Sequence, residues 1–343
     1  QRELIPRGVA VTALAVVRGN ASCDKAVLPV NRSAADHSFR DLCGENGILK
    51  KWLRCGIAGY RLDVADELPD IFLDDLRKCV KSENENAIII GEVWEDATNK
   101  FAYGQRRKYL LGEELDSVMN YPFADAILNF VRYANGNAFF NAVLSIIENY
   151  PPQVLNVLMN HIGTHDTERA ITRLAGENPD GHDRAWQFEH NTLSEFDYLK
   201  GISMMKIASL IQFTLPGVPS IYYGDEIGMQ GMKDPFNRAC MPWNKPNEEL
   251  LKWYKRLGQI RHSSKAFIDG DFEKLYCDGG VIAYSRSSEG DNILVAINNS
   301  NEQKRIFVGT QWDNSYSLFD EKSVDGFVNL PPYRYTLLSK KEY

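Results

Sequence analysis

Gly59-Tyr60-Arg61-Leu62-Asp63-Val64 is a short apolar run closed by a carboxylate, and its reading decides the fold. The same design recurs in Ile88-Ile89-Ile90-Gly91-Glu92 and in Val154 through Asn160, shortly before His165-Asp166. Each run reads as a β-strand leading to an acidic residue. Carboxylates at the ends of successive strands can converge on one face of a parallel barrel. Two convergent carboxylates with a third acidic group are what cleavage of a glycosidic bond requires.

Working outward, helix-like stripes alternate with further strands. Leu49, Trp52 and Leu53 predict an apolar helix face before the first run, and Leu73, Leu76 and Val80 predict another after it. Val118 to Tyr121 predicts a short strand closed by Pro122. Ile127, Leu128 and Val131, then Phe140, Val143, Leu144 and Ile147, predict two helices. Met204, Ile207, Ala208 and Ile211 predict a helix with one apolar side, ending near Pro216. Pro219 to Tyr223 predicts the next strand, and Leu250, Tyr254 and Leu257 mark the last helix. Repeated strand–helix units with apolar strands imply a parallel sheet covered by helices. After about Phe267 the pattern changes to short runs at 280–284, 292–297 and 305–308, separated by Gly, Ser, Asn and Asp turns. That reads as a small antiparallel β-sandwich.

Bulk properties bound the function. The 343 residues, 44% of them hydrophobic, can bury a sizeable core. With 39 basic against 46 acidic residues the net charge is −7, which argues against nucleic acid or an anionic membrane surface as partner. No apolar run approaches the ~20 residues needed to span a bilayer. The six cysteines, Cys23, Cys43, Cys55, Cys79, Cys240 and Cys277, show no metal-ligand spacing and read as buried thiols of a reducing compartment. A cytoplasmic location follows. The alternative is secretion, because the apolar stretch 8–17 follows Arg2 and Arg7 as in a short signal peptide. A Gln at position 1 suggests an incomplete or processed start.

Arg61 and Asp63, two apart on a strand, leave the same face. A guanidinium beside a carboxylate favours its ionised form, suiting Asp63 to attack an anomeric carbon. The same pair is also an ordinary ion pair at a strand end. Glu92, set among apolar and aromatic neighbours, suits a protonated general acid; alone it is equally a solvent-facing carboxylate. Gly91 before it permits close approach. His165-Asp166 lies in a loop before a helix that Thr167 could cap. The two side chains could bind vicinal sugar hydroxyls or form an ordinary helix start. The combination is more specific than any member.

Together, the blocks 59–67, 91–94 and 165–169 closely resemble those of the α-amylase family of retaining glycosidases, in its neopullulanase, cyclomaltodextrinase and maltogenic amylase branch. Residues 217–226 resemble the family's eighth barrel strand, and Asp234 to Arg238 with Met241-Pro242-Trp243 the loop after it. Leu28-Pro29-Val30-Asn31 is similar to a block near the end of the inserted domain B. The resemblance implies Asp63 as nucleophile, Glu92 as general acid/base and Asp166 as transition-state stabiliser on the sugar's 2- and 3-hydroxyls. It implies that Arg61 holds Asp63, that His165 binds the same ring, and that Glu67 faces the acceptor side. Trp94 is a stacking surface or a core residue. Retention requires the Asp63 and Glu92 carboxyls about 5–5.5 Å apart. The expected ligand is an α-glucan, with no cofactor or catalytic metal. Structural calcium occurs in the family, but its ligands cannot be assigned from this sequence.

The resemblance implies an N-terminally truncated, partial (β/α)8 barrel, strands four to eight, over residues 38–267, followed by the sandwich over 268–343. Residues 1–37 would be a remnant of domain B or unmatched sequence. An open barrel edge predicts aggregation or a covering partner, a homo-oligomer included. The competing expectation is an impaired chain acting only as a glucan-binding or interaction module.

Overall fold

The computed structural model describes residues 41–102, 104–319 and 326–340, with the backbone of two short strands at 16–17 and 323–324. The Leu28–Asn31 block, Cys23 and residues 1–37 other than that first strand lie outside the described residues. The chain forms two compact units, residues 1–120 with 149–159, and residues 121–148 with 160–343.

The first unit is built on a parallel sheet. Its strands are β1 (Val16–Val17), β2 (Gly59–Leu62), β3 (Ile88–Gly91) and β6 (Ser117–Val118), in the order β1-β2-β3-β6. The edge of β2 that the sequence leaves bare is paired, Val16 opposite Arg61 and Val17 opposite Leu62. All four residues of β2 are buried, as expected of a strand covered on both faces. Helix α1 (Ile48–Arg54) buries Leu49 and Leu53, but Trp52 is half-exposed instead of sharing their face. Helix α2 (Asp70–Glu83) buries Leu73, Leu76 and Val80 as its period predicts. Asp116 ties that helix to the sheet: it pairs with Arg77 at 2.8 Å and Lys81 at 2.9 Å, and accepts the Ile89 N–H at 2.9 Å. A small antiparallel pair, β4 (Phe101–Ala102) and β5 (Gln105–Arg106), precedes β6.

Two predicted strands are largely other structure. Pro122 does not close a strand; it lies in the first turn of helix α3 (Tyr121–Tyr133), where a missing N–H costs nothing. The run 154–160 begins as the helical turn α5 (Pro152–Leu155), nucleated by Pro152 at its first position. Only β7 (Met159–Asn160) is strand. In the first unit Met159 bridges Met119 in parallel.

The second unit carries α3 and α4 (Gly136–Asn149), then α6 (Ala170–Ala175), α7 (Arg184–Glu189) and α8 (Glu195–Thr214). Helix α8 has no single apolar side: every residue from Ile207 to Thr214 is buried. Its Ser194 cap accepts the Asp197 N–H. The strand predicted at 219–223 is only β8 (Val218–Pro219), beside which the Ser220 N–H donates to the Asn160 carbonyl at 2.7 Å. Helix α9 (Glu248–Ser263) buries Leu250, Tyr254 and Leu257, and the single turn α10 (Ala266–Asp269) follows.

Beyond α10 the chain is antiparallel β-structure. Strands β9 (Asp271–Asp278), β10 (Val281–Ser288), β11 (Asp291–Asn298), β13 (Ser315–Ser317), β14 (Ser323–Val324) and β16 (Arg334–Ser339) form one sheet. Strands β12 (Lys304–Phe307) and β15 (Phe327–Leu330) form a second. Val281, Leu294, Leu338, Ile306, Val328 and Trp312 share one apolar core between them.

Among the described residues five cysteines are free thiols, yet only Cys79 is buried; Cys55 and Cys240 are exposed, contrary to the expectation for them. Among the described residues no helix is long and apolar enough to cross a membrane.

Candidate active site

In the first unit, Arg61 organises the carboxylates. It is 1% exposed on β2, and its Nη1 donates to Asp63 Oδ1 at 2.5 Å. Its Nη2 lies 2.8 Å from Glu92 Oε2; that approach is off-axis, an ion pair and not a hydrogen bond. Glu92 directly follows β3, whose last residue, Gly91, is opposite Leu62. The parallel register therefore brings both strand ends to the same place. Gly91 gives the close approach expected of it, but toward the core. A Cβ there would meet Leu115 Cδ1 at 2.5 Å and Ala65 Cβ at 3.2 Å.

The surroundings of Glu92 differ from the apolar setting expected. Besides Arg61, its Oε2 accepts the Val64 N–H at 2.9 Å, and its Oε1 accepts the Trp94 indole N–H at 3.1 Å. Trp94 is 46% exposed, which excludes a core role. Val64 was not foreseen. It adopts a left-handed conformation, φ 47° and ψ 55°, which is strained for a β-branched residue. That strain points its N–H at the glutamate. Glu67 ends the 3₁₀ turn 65–67 and is exposed. Asp66 in the same turn accepts from Tyr109 Oη at 2.7 Å and pairs with Lys100 at 3.0 Å, fastening the segment that follows Asp63.

In the second unit, His165 and Asp166 lie in an irregular loop before α6. His165 Nε2 is 3.3 Å from Asp166 Oδ2, and Arg238 Nη2 is 3.7 Å from Asp166 Oδ1. Thr167 does not cap α6, whose N-cap is Arg169 with no side-chain cap bond. Thr164 instead accepts the Asp166 N–H at 3.1 Å. Two supports escaped sequence reasoning. Asn237 Nδ2 donates to the carbonyls of His165 and Thr167 at 2.8 and 2.7 Å. Arg169, fully buried, donates to the Tyr223 carbonyl, lies 3.5 Å from Asp225, and sits over the rings of Tyr222 and Tyr223 at 4.2 and 4.4 Å. Burial pushes Asp225 up to about 7, with Arg169 opposing. No local pattern announces either support, because the partners are far apart in sequence.

Among the described residues, no group of three or more His, Cys, Asp or Glu side chains is placed to hold a metal ion.

A buried arginine thus bridges two strand-end carboxylates, and comparison with known proteins gives the family of the chain. Residues 40–315 match the alpha-amylase catalytic domain, and the chain belongs to that family. It is 36% identical over 266 residues to a cyclomaltodextrinase of Thermoanaerobacter pseudethanolicus, covering 76% of this chain and 41% of that protein. It is 32% identical over 269 residues to neopullulanase 2 of Thermoactinomyces vulgaris, covering 76% of this chain and 40% of that protein. A solved cyclomaltodextrinase structure superposes with a TM-score of 0.70 at 31% identity, covering 85% of this chain and 47% of that one. The chain thus spans about two-fifths of the length of these curated relatives.

Proposed function

We propose that this chain carries the centre of a retaining hydrolase of α-glucans, acting on maltodextrin, cyclodextrin or pullulan-like substrates. Asp63 is the nucleophile. Among the described residues its Oδ2 has no hydrogen-bond partner, while Arg61 holds Oδ1. Oδ2 attacks the anomeric carbon as Glu92 protonates the departing glycosidic oxygen. Glu92 Oε2 is engaged by both Val64 and the Arg61 cation, while Oε1 accepts only the neutral Trp94 N–H, so Oε1 delivers the proton. Water then enters, gives its proton to Glu92 and releases the glycosyl group from Asp63 with net retention. Asp166 and His165 bind sugar hydroxyls, Trp94 offers a stacking face, and Glu67 is an acceptor-side carboxylate. The double displacement itself requires no cofactor or catalytic metal.

The observation that carries this reading is the single guanidinium in contact with both carboxylates. It supports the short separation of a retaining pair over the wider inverting one. The relatives named cyclomaltodextrinase and neopullulanase support the substrate class. We further read residues 38–267 as part of a (β/α)8 barrel, residues 268–343 as its β-domain, the location as cytoplasmic and self-association as the route that covers any open edge.

Glu92→Gln tests the assignment. Hydrolysis of maltoheptaose should fall about 10²–10⁴-fold while the circular dichroism spectrum is unchanged. Equal rates in parent and variant would overturn the enzyme reading and leave a glucan-binding module.

A further inference from the structure

We propose that Asn237 is a positioning residue for Asp166, holding it in the orientation that grips the sugar ring. The inference rests on the reading of Asp166 given above. Asn237 lies in the 3₁₀ turn Phe236–Arg238 and is fully buried. Its amide nitrogen has two hydrogens, and each finds a backbone carbonyl of the His165–Asp166 loop, at His165 (2.8 Å) and Thr167 (2.7 Å). Both partners are acceptors only, which fixes the amide orientation with nitrogen toward the loop.

The effect on Asp166 follows from peptide geometry. The peptide plane between His165 and Asp166 is held at both edges, its C=O by Asn237 and its N–H by Thr164 Oγ1 at 3.1 Å. A planar unit gripped on both sides cannot rotate, and with the chain beyond it held at Thr167 the backbone on either side of Asp166 is fixed, which limits the directions its side chain can take. The Thr167 contact fixes the outgoing chain. Beyond it, the Arg169 N–H donates to the Gly231 carbonyl at 2.9 Å, and the Gly231 N–H donates to Thr172 Oγ1 at 3.0 Å. These bonds anchor the loop's exit to the same 229–238 segment. Among the described residues Asp166 itself has only loose neighbours, the Arg238 guanidinium at 3.7 Å and the His165 ring at 3.3 Å. Its aim therefore comes from the backbone that Asn237 holds.

The test compares Asn237→Ala and Asn237→Asp with Asp166→Asn in the full chain. Asn237→Asp keeps the volume and removes both donors. Three readouts are needed: kcat and KM on maltoheptaose, the thermal midpoint, and hydrogen–deuterium exchange of peptides covering 160–170. Both Asn237 variants should lower kcat about 10²-fold with KM little changed, and speed exchange in the loop roughly tenfold. In the Asp166→Asn background the further loss from Asn237→Ala should be less than about twofold. Equal losses in both backgrounds, or a lower midpoint with kcat intact, would show a merely structural residue. If Asp166→Asn abolishes turnover while Asn237→Asp keeps it, the clamp fails and the catalytic reading stands. If Asp166→Asn leaves kcat unchanged, that reading fails and the inference falls with it.

Discussion

Among the described residues Arg61 and Arg169 are the two arginines most completely buried in an ion pair, at 1% and 0% exposure, yet their surroundings differ. Around Arg61 the pairing is close, 2.5 Å to Asp63 and 2.8 Å to Glu92, and the Asp63 side chain keeps 22% of its surface open. Around Arg169 the approach to Asp225 is loose, 3.5 Å, and Asp225 is 2% exposed. Two tyrosine faces take up part of the Arg169 charge. Burial lifts Asp225 to about 7, the cost of sealing a carboxylate with incomplete pairing. Pairing alone does not mark a reactive centre. A route from the carboxylate to solvent does.

This contrast predicts two variants that both lose stability but differ in activity. Arg61→Met should have the largest effect, lowering kcat about 10²–10³-fold through loss of positioned charge at the nucleophile and acid. It should also cost several kcal/mol, because Glu92 and Asp63 lose their shared cation. Arg169→Met should cost about 3 kcal/mol in stability with a much smaller change in kcat measured below its melting range. That loss should be milder at pH 5 than at pH 8, because Asp225, lifted to about 7, is already protonated at pH 5 and leaves Arg169 no anion to pair with. Melts and steady-state kinetics on both variants decide the matter. A stable, inactive Arg169→Met beside an unstable, active Arg61→Met would reverse the assignment of the two centres.

How far the sequence discloses these centres depends on what kind of contact makes them. Asp63 and Glu92 are legible as strand-end carboxylates because each needs only its own short apolar run to be seen. Helices α2 and α9 were legible because each buries one stripe, Leu73, Leu76 and Val80 in one and Leu250, Tyr254 and Leu257 in the other. Helix α8 was misread as one-sided because its second half is buried all round, which removes the periodic signal. The run 154–160 misled because an apolar stretch without period does not separate strand from buried turn, and Pro151-Pro152 tips it to a turn. Asn237 was hidden for another reason: its carbonyl partners lie 72 and 70 positions away. Val64 was hidden because its residue type argues against the conformation it adopts.

A third buried carboxylate extends the comparison. Glu114 is 1% exposed, and among the described residues neither oxygen has a hydrogen-bond partner. Burial first, then Asp70 and Asp74, push it from 4.5 up to about 7, against Arg107 and Lys108. A carboxyl raised in the folded state binds its proton more tightly there. Its contribution to stability is therefore full below about 4.5 and is lost as pH rises through about 7. Asp225 acts in the same direction from 3.8 to about 7. Glu114→Gln cannot ionise, so it should recover roughly 2–3 kcal/mol at pH 8 and flatten the fall in thermal midpoint between pH 5 and 7. Parallel midpoint curves for parent and variant would show that Glu114 does not titrate in that range.

The smallest effect is expected at Val64, and it separates strain from packing inside the Arg61 centre. A non-glycine residue in the left-handed region costs about 1–2 kcal/mol. Glycine adopts it freely but loses about 0.5–1 kcal/mol more conformational entropy on folding. Val64→Gly should therefore raise stability by at most about 1 kcal/mol, since the side chain is 47% exposed and buries little. The backbone N–H to Glu92 survives the change, so the cost to kcat should be only severalfold and should come from a looser 63–67 turn. A stability loss above about 1 kcal/mol would assign the Val64 side chain a packing role. A gain in stability with undiminished kcat would show that the Arg61 centre does not depend on this strain.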